Sequence, residues 1–248
     1  MLMKIKNLFT MFILAFLFCL VTYFSFSYNL GHEFDRVFVT LATFLFSIFT
    51  GFFISNQNGR YGKIRDVLSQ FDGKMSAIYR SSMHLGTEFH EKIGLVIKNH
   101  YQTIILKDSW DFNFVNKSST ITDIHVLLED FSKSKEKISE IEKQSLGRIT
   151  SALSDLQPLR KQIVALREER IPFFQWVLVV LFGTSLLLTV LSLPSFGFLI
   201  GSILKGAFTV SIVSVLFILK SFDNLSFFEG RIGEHSAEDV LEIISGGR

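Results

Sequence analysis

Hydrophobic positions along this chain fall into two regimes. In four places they run almost unbroken: Leu8 to Tyr28, roughly Val37 to Ser55, Pro172 to Leu193, and Phe196 to Leu219. Each run approaches the 20 or so apolar residues that a helix needs to cross a bilayer. Between the second and third, from Asn56 to Ile171, no long apolar run occurs, and apolar residues recur at helical intervals instead. Ile64, Val67, Leu68, Phe71, Met75, Ile78 and Tyr79 keep the spacing of one buried helix face. The second span is therefore expected to continue into water as one long helix, weakened locally by Gly59, Gly62 and Gly73.

A second helix is expected through Phe89, Ile93, Val96, Ile97, Tyr101 and Ile104. Trp110–Ser119 has two Asn and no clear period, and reads as a loop. Ile124, Leu128, Phe131, Ile138, Ile141, Ile149, Leu153, Leu156, Ile163 and Leu166 then recur near a 3.5-residue spacing. This predicts one or two long helices packed in a coiled-coil manner, with Pro158 expected to kink or restart the stretch. Ser236 and Asp239, just before Val240, Leu241 and Ile244, resemble the capping box that opens a short amphipathic helix.

These patterns predict an all-α membrane protein with four transmembrane helices and a helical cytoplasmic domain inserted between the second and third. The expected divisions are 1–58, 59–171, 172–220 and 221–248. The first run could instead be a cleaved signal peptide, since Lys4 and Lys6 precede it. Its length exceeds an ordinary h-region and no small-residue cleavage site follows, so it is taken as a span. Cys19 does not read as a lipidation site, because bulky Phe18 precedes it.

Lys and Arg set the orientation. Lys4 and Lys6, then Arg60, Lys63 and Arg65, then Arg160, Lys161, Arg167 and Arg170, then Lys220 and Arg231 all flank the runs on one side. The Asn29–Arg36 turn has only Arg36 beside Glu33 and Asp35, and the Pro194–Ser195 turn has no charge. Both termini are thus expected in the cytoplasm of a multi-pass protein in the plasma (inner) membrane of a prokaryote.

Composition agrees with lipid contact. Hydrophobic residues make up 48% and charged residues 19%, the latter below the usual quarter of soluble domains, and Phe alone contributes 28. A net charge of +2 gives no field that would select nucleic acid. One cysteine excludes an intrachain disulfide or a cysteine-based zinc site.

Two intramembrane features carry candidate chemistry. In the second span Arg36, Thr40, Thr43, Ser47, Thr50 and Gly51, followed by Ser55 and Asn58, form a small-polar stripe at helical spacing. Such a stripe can line a water-filled path, or simply let helices approach closely with hydroxyls bonded to backbone carbonyls. Lys205 lies nine residues beyond Phe196, roughly 13 Å along a helix. A lysine at that depth usually faces a bundle interior or an aqueous cavity, or snorkels outwards. No acidic residue within the four runs offsets it, so any conducted ion is expected to be an anion. Arg60, Lys63 and Arg65 follow the stripe as candidate inner-mouth cations, though topology alone also explains them. His84, Glu88 and Glu91, with His90 nearby, read as a solvated helix face. No P-loop, nucleophile elbow, zinc-protease or dinucleotide motif occurs, so neither an enzyme nor a bound cofactor or metal is expected.

The order of short motifs resembles one family. Gly51-Phe52-Phe53-Ile54-Ser55 leads to Arg60-Tyr61 and Arg65, then to Ile78-Tyr79-Arg80, Leu85 and a helix around Tyr101. Arg170-Ile171-Pro172-Phe173-Phe174-Gln175-Trp176 opens the third span, and Asp223 through Phe227-Phe228-Glu229-Gly230 follows the fourth. Across nearly the whole chain this resembles the bestrophin-like membrane proteins, distantly similar to the bestrophin anion channels. Ser226 departs from the family pattern, standing where a Pro is usual.

The resemblance implies a homo-oligomer, on the bestrophin pattern a pentamer. It places the second helices around a narrow apolar neck, so that Phe44, Phe46, Phe49 or Phe53 would face the axis in place of the polar stripe. Bestrophins' acidic calcium cluster has no counterpart after the fourth span, and no calcium gating is expected. The functional expectation is a homo-oligomeric anion channel of chloride type with the second span lining the pore, in contact with lipid, small anions and copies of itself. The alternative is a non-conducting scaffold or sensor acting through its cytoplasmic helices. Topology is directly testable. In a Cys19→Ser background, Ser195→Cys should react with a membrane-impermeant maleimide in intact cells, and Ser119→Cys only after permeabilisation; the reverse pattern would invert the orientation.

Overall fold

The computed structural model describes residues 36–107, 109–116, 118–135, 137–192, 198–226 and 232–246, together with Ile13, Phe16, Leu17, Leu20 and Val21. Those five are helical. The rest of the Leu8–Tyr28 run, the turns before Arg36 and at Pro194–Ser195, and the Phe227–Gly230 motif lie outside the described residues.

Described residues are largely helical and include no strand. The elements are α1 (Arg36–Ser82), a 3-10 turn (Met83–Leu85), α2 (Thr87–Lys107), α3 (Phe112–Val115), α4 (Thr120–Ser134), α5 (Glu140–Glu168), α6 (Phe173–Ser192), α7 (Phe198–Asp223) and α8 (Ile232–Ile244). They form two compact units, one from Met1–Asn58 with Arg170–Asn224, the other from Gly59–Glu169 with Leu225–Arg248. The continuous helix α1, 47 residues long, contributes to both.

Three stretches are long and apolar enough to cross a membrane, lying within Val39–Leu85, Glu140–Leu191 and Ile200–Asp223. The second of these joins α5 to α6 across the non-helical Glu169–Pro172 corner, and its uncharged part is α6. Within the first unit, Phe53 of α1 is buried with Ile171, Val179 and Leu219, and Phe46 with Leu186 and Ile212. Gly183 faces this contact, and a Cβ there would touch the Phe46 ring at 3.4 Å. Phe49 stacks on Phe182 with centroids 5.3 Å apart. The corner before α6 is held by Asp223, which accepts from the Ile171 amide at 2.7 Å and the Trp176 indole at 3.3 Å. Outward positions such as Phe173, Leu188, Ile200 and Leu204 remain exposed in the chain, as lipid-facing side chains must.

The second unit is a helical bundle. α2 packs against α4 and α8, and α5 against the 3-10 turn, α3 and α4. Ile64, Met75, Ile78, Ile93, Ile97, Ile124, Ile149, Leu153, Leu156 and Ile163 are fully buried. The near-3.5 spacing after Ile124 resolves into two helices, α4 and α5. Ser139 caps α5 in a full capping box with Glu142, which the apolar spacing alone does not reveal. Ile138 and Ile141, at that break, are exposed.

Three local expectations are corrected. Pro158 does not restart a helix, since it lies inside continuous α5. An interior proline costs about 3 kcal/mol, whereas each fully buried Ile or Leu contributes about 1.5–3 kcal/mol; Ile149, Leu153, Leu156 and Ile163 flank it and outweigh the lost bond. Trp110–Ser119 is not simply a loop: α3 lies within it, with Trp110, Asn113 and Phe114 buried. Its apolar residues are too few to show a period. Ser236 is not an N-cap, because α8 begins at Ile232 and the Ser236 hydroxyl donates to Asp72.

That carboxylate also accepts from Tyr101 at 2.6 Å. Burial raises its pKa, while the Ser236 and Tyr101 hydrogen bonds partly oppose the shift. Its contribution to stability is fully present below the unfolded value of about 3.9 and is lost as pH rises through the raised folded value. Asp72→Asn removes this dependence. In thermal melts from about pH 4 to about pH 7, wild type should lose stability relative to Asp72→Asn as pH rises; parallel curves would refute the assignment.

Candidate functional site

A hydroxyl in a helix surrounded by apolar groups can bond its own backbone four residues back, so small polar residues there do not by themselves call for water. Thr43 donates to the Val39 carbonyl at 2.8 Å, and Thr50 to the Phe46 carbonyl at 2.6 Å. Thr50 is buried. These two sit on the side of α1 that turns towards Phe46 and Phe53, so the polar stripe divides.

Thr40, Ser47 and Gly51 lie on the other side, all exposed, beside exposed Leu41, Phe44, Ile48 and Phe52. A Cβ added at Gly51 would meet no described atom within 4 Å. Phe44 and Phe53, both candidate neck residues, point to opposite faces: Phe44 is 60% exposed and Phe53 4%. Phe46 shares the buried face. Arg36 opens α1, but its side chain lies outside the described residues.

Lys205 occupies a different helix and a different environment. On α7, Gly201, Ser202, Gly206, Thr209, Ile212 and Leu219 are buried, and Lys205 is half-buried among them, whereas Ile203, Leu204 and Phe208 are exposed. Lys205 therefore belongs to the inward side of α7. Its Nζ lies 3.4 Å from the Leu191 carbonyl near the end of α6, longer than a well-formed N–H···O bond. Ser202 and Thr209, three residues before and four after Lys205, complete a polar strip, and the Thr209 hydroxyl is buried without a partner among the described residues. Their helical spacing from Lys205 is the signal in the sequence that points to them.

The three candidate mouth cations also separate. Arg60 is buried, its Nε donating to the Leu166 carbonyl and its Nη2 to the Arg167 carbonyl, both at 2.6 Å. These belong to the last turn of α5, where carbonyls lack helical partners and the helix dipole is negative. Lys63 and Arg65 are exposed on α1.

The histidine and glutamate face disperses as well. Glu88 pairs with Lys92 on the surface, His84 is exposed, and His90 bonds Ser82 at 2.7 Å while packing on Tyr79. Among the described residues no three metal-ligating side chains converge.

A family model described as a bestrophin-like domain matches residues 10–225. No curated protein and no solved structure matches the chain.

The geometry of Arg60 makes a clear stability prediction. Arg60→Ala strands two carbonyls at the end of α5, and bonds of this charged kind are worth about 1.5–3 kcal/mol each. The variant should melt well below wild type while Arg65→Ala, on the exposed side, should not; equal melting would mean that Arg60 is not a structural cap.

Proposed function

We propose, from the premise that the chain belongs to the bestrophin-like family, that it is a homo-oligomeric anion channel of chloride type, pentameric as bestrophins are. In this reading Leu8–Tyr28 supplies a fourth span alongside the three apolar stretches. The unit built from Gly59–Glu169 and Leu225–Arg248 lies with both termini in the cytoplasm of a prokaryote, and the spans cross its plasma membrane.

The observation that carries the reading is Lys205. It is a cation on the inward side of a membrane-length helix that holds no acidic residue before Asp223. Hydroxyl groups in such a helix can satisfy themselves on their own backbone, whereas the Lys205 ammonium has three donors and meets only the Leu191 carbonyl, at 3.4 Å, among the described residues. A fixed positive charge there favours anions and disfavours cations.

The exposed face of α1 supports the same reading. Thr40, Phe44, Ser47 and Gly51 are the proposed pore-lining positions, because this chain leaves them uncovered. Thr43, Thr50 and Phe53 become packing residues. Lys63 and Arg65 are the proposed mouth cations, and Arg60 is a helix cap.

The scaffold alternative rests on the near-3.5 spacing from Ile124 to Leu166. Ile124, Ile149, Leu153, Leu156 and Ile163 are consumed by the chain's own core, which leaves that seam unavailable to a partner helix.

Purified oligomer in liposomes should pass chloride. Lys205→Ala should weaken anion selectivity and Lys205→Glu should reduce the chloride-to-potassium permeability ratio by about tenfold or more, the effect of about 1.4 kcal/mol on ion stabilisation. Correctly assembled oligomer that passes no ion would overturn the channel reading.

A further inference from the structure

A cavity of about 540 Å³ opens within the second unit, between α5 and the segment that joins α3 to α4. Its size falls in the range of small-molecule sites, which are mostly apolar with a few polar groups fixing orientation. Phe114, Ile121 and Val164 supply apolar wall, and Ser118, Thr122 and Arg160 supply polar groups.

Arg160 is the unusual member. Its Nε is buried and has no hydrogen-bond partner among the described residues. Arg160 as a whole is half-buried, but this one N–H has lost water without gaining an acceptor, which is costly for a group carrying charge. Compare Arg60, whose Nε is satisfied by a carbonyl. Lys161 adds a second positive charge at the rim. Glu168, seven residues beyond Lys161, stands about 10 Å further along the helix and is exposed, where water screens it.

The segment facing α5 carries no charge: Phe114 and Ile121 alternate with the hydroxyls of Ser118 and Thr122. Ser118 in turn meets Thr120, which is not part of the lining, with hydroxyls 2.8 Å apart, and Thr120 meets His100 Nδ1 at 3.0 Å. Burial, followed by the charge of Arg160, pushes His100 down to about 4, so it is uncharged at neutral pH. Arg160 therefore has no competing carboxylate deep in the cavity.

We propose that this cavity binds a small organic anion, a monocarboxylate with an apolar body, whose carboxylate accepts from Arg160 while its body lies against Phe114 and Val164. The site shares no residue with the proposed ion path.

Isothermal titration of the full-length oligomer in chloride-free buffer tests it, with benzoate as probe, benzamide as its neutral shape match and inorganic phosphate as a charge without an apolar body. Benzoate should bind at one site per chain, with benzamide and phosphate each at least tenfold weaker. Arg160→Gln should weaken benzoate binding tenfold or more, with ligand-free melting curves reporting whether the variant is folded. The proposal is overturned if wild type binds no benzoate at millimolar concentration, or if benzamide or phosphate binds as tightly. It is overturned equally if a folded Arg160→Gln variant binds benzoate as wild type does. Binding heats carry no information on flux, so each of these results leaves the channel reading where it stands.

Discussion

Helix α5 ends with carbonyl groups that have no partner in their own helix, and one buried guanidinium supplies what they lack. Arg60 reaches the carbonyls of Leu166 and Arg167 with two short hydrogen bonds. A cation at the negative end of a helix dipole, shielded from water, can be held in few orientations. That constraint fixes which side of α1 faces inwards within the second unit. The unbroken hydrogen-bond ladder of α1 then carries the choice onward through Ile64, Leu68, Phe71, Met75 and Ile78, all of which are buried. The bundle's other helices pack on the face that Arg60 shares.

The C-terminal helix is held by the same kind of interaction. Asp72 gathers hydroxyls from Tyr101 on α2 and Ser236 on α8, and Tyr79 donates to the Ile244 carbonyl at 3.1 Å. Apolar contact through Ala237 and Val240 alone would let α8 slide or rotate. Directional bonds to a buried carboxylate define its setting, and burial makes each of them count for more.

Polar residues in the apolar helices are not alike in what they imply. Threonine and serine have a carbonyl within reach one turn back, and Thr43, Thr50, Thr184, Thr189 and Ser211 all use it. Their presence at helical spacing says little about water. Lysine has no such recourse, which is why Lys205 weighs more than the whole stripe on α1. Its stem lies beside Ser202 and Thr209 on the inward side of α7.

The sequence by itself determined what depends on local periodicity and on long apolar runs. The all-helical class, three of the four membrane-length apolar stretches, the unbroken extension of α1 beyond its span and most of the buried positions from Ile64 to Ile104 were legible. Each follows from a side-chain pattern repeating along one helix. The bestrophin-like family was legible too, because it rests on the order of motifs. Tertiary structure decided whatever depends on partners distant in the chain. It joined Arg60 to Leu166, Asp72 to Ser236 and Asp223 to Ile171, and sent Phe44 and Phe53 to opposite faces. It kept Pro158 inside a helix, because buried neighbours on both sides contribute more than one missing hydrogen bond costs. It also drew Ser236 away from a capping role, because a carboxylate 164 positions earlier offered its hydroxyl a better-placed acceptor. Local propensities are worth a few tenths to about 1 kcal/mol per residue, and burial of a side chain or a charge is worth several times that. Where the two disagreed, burial prevailed.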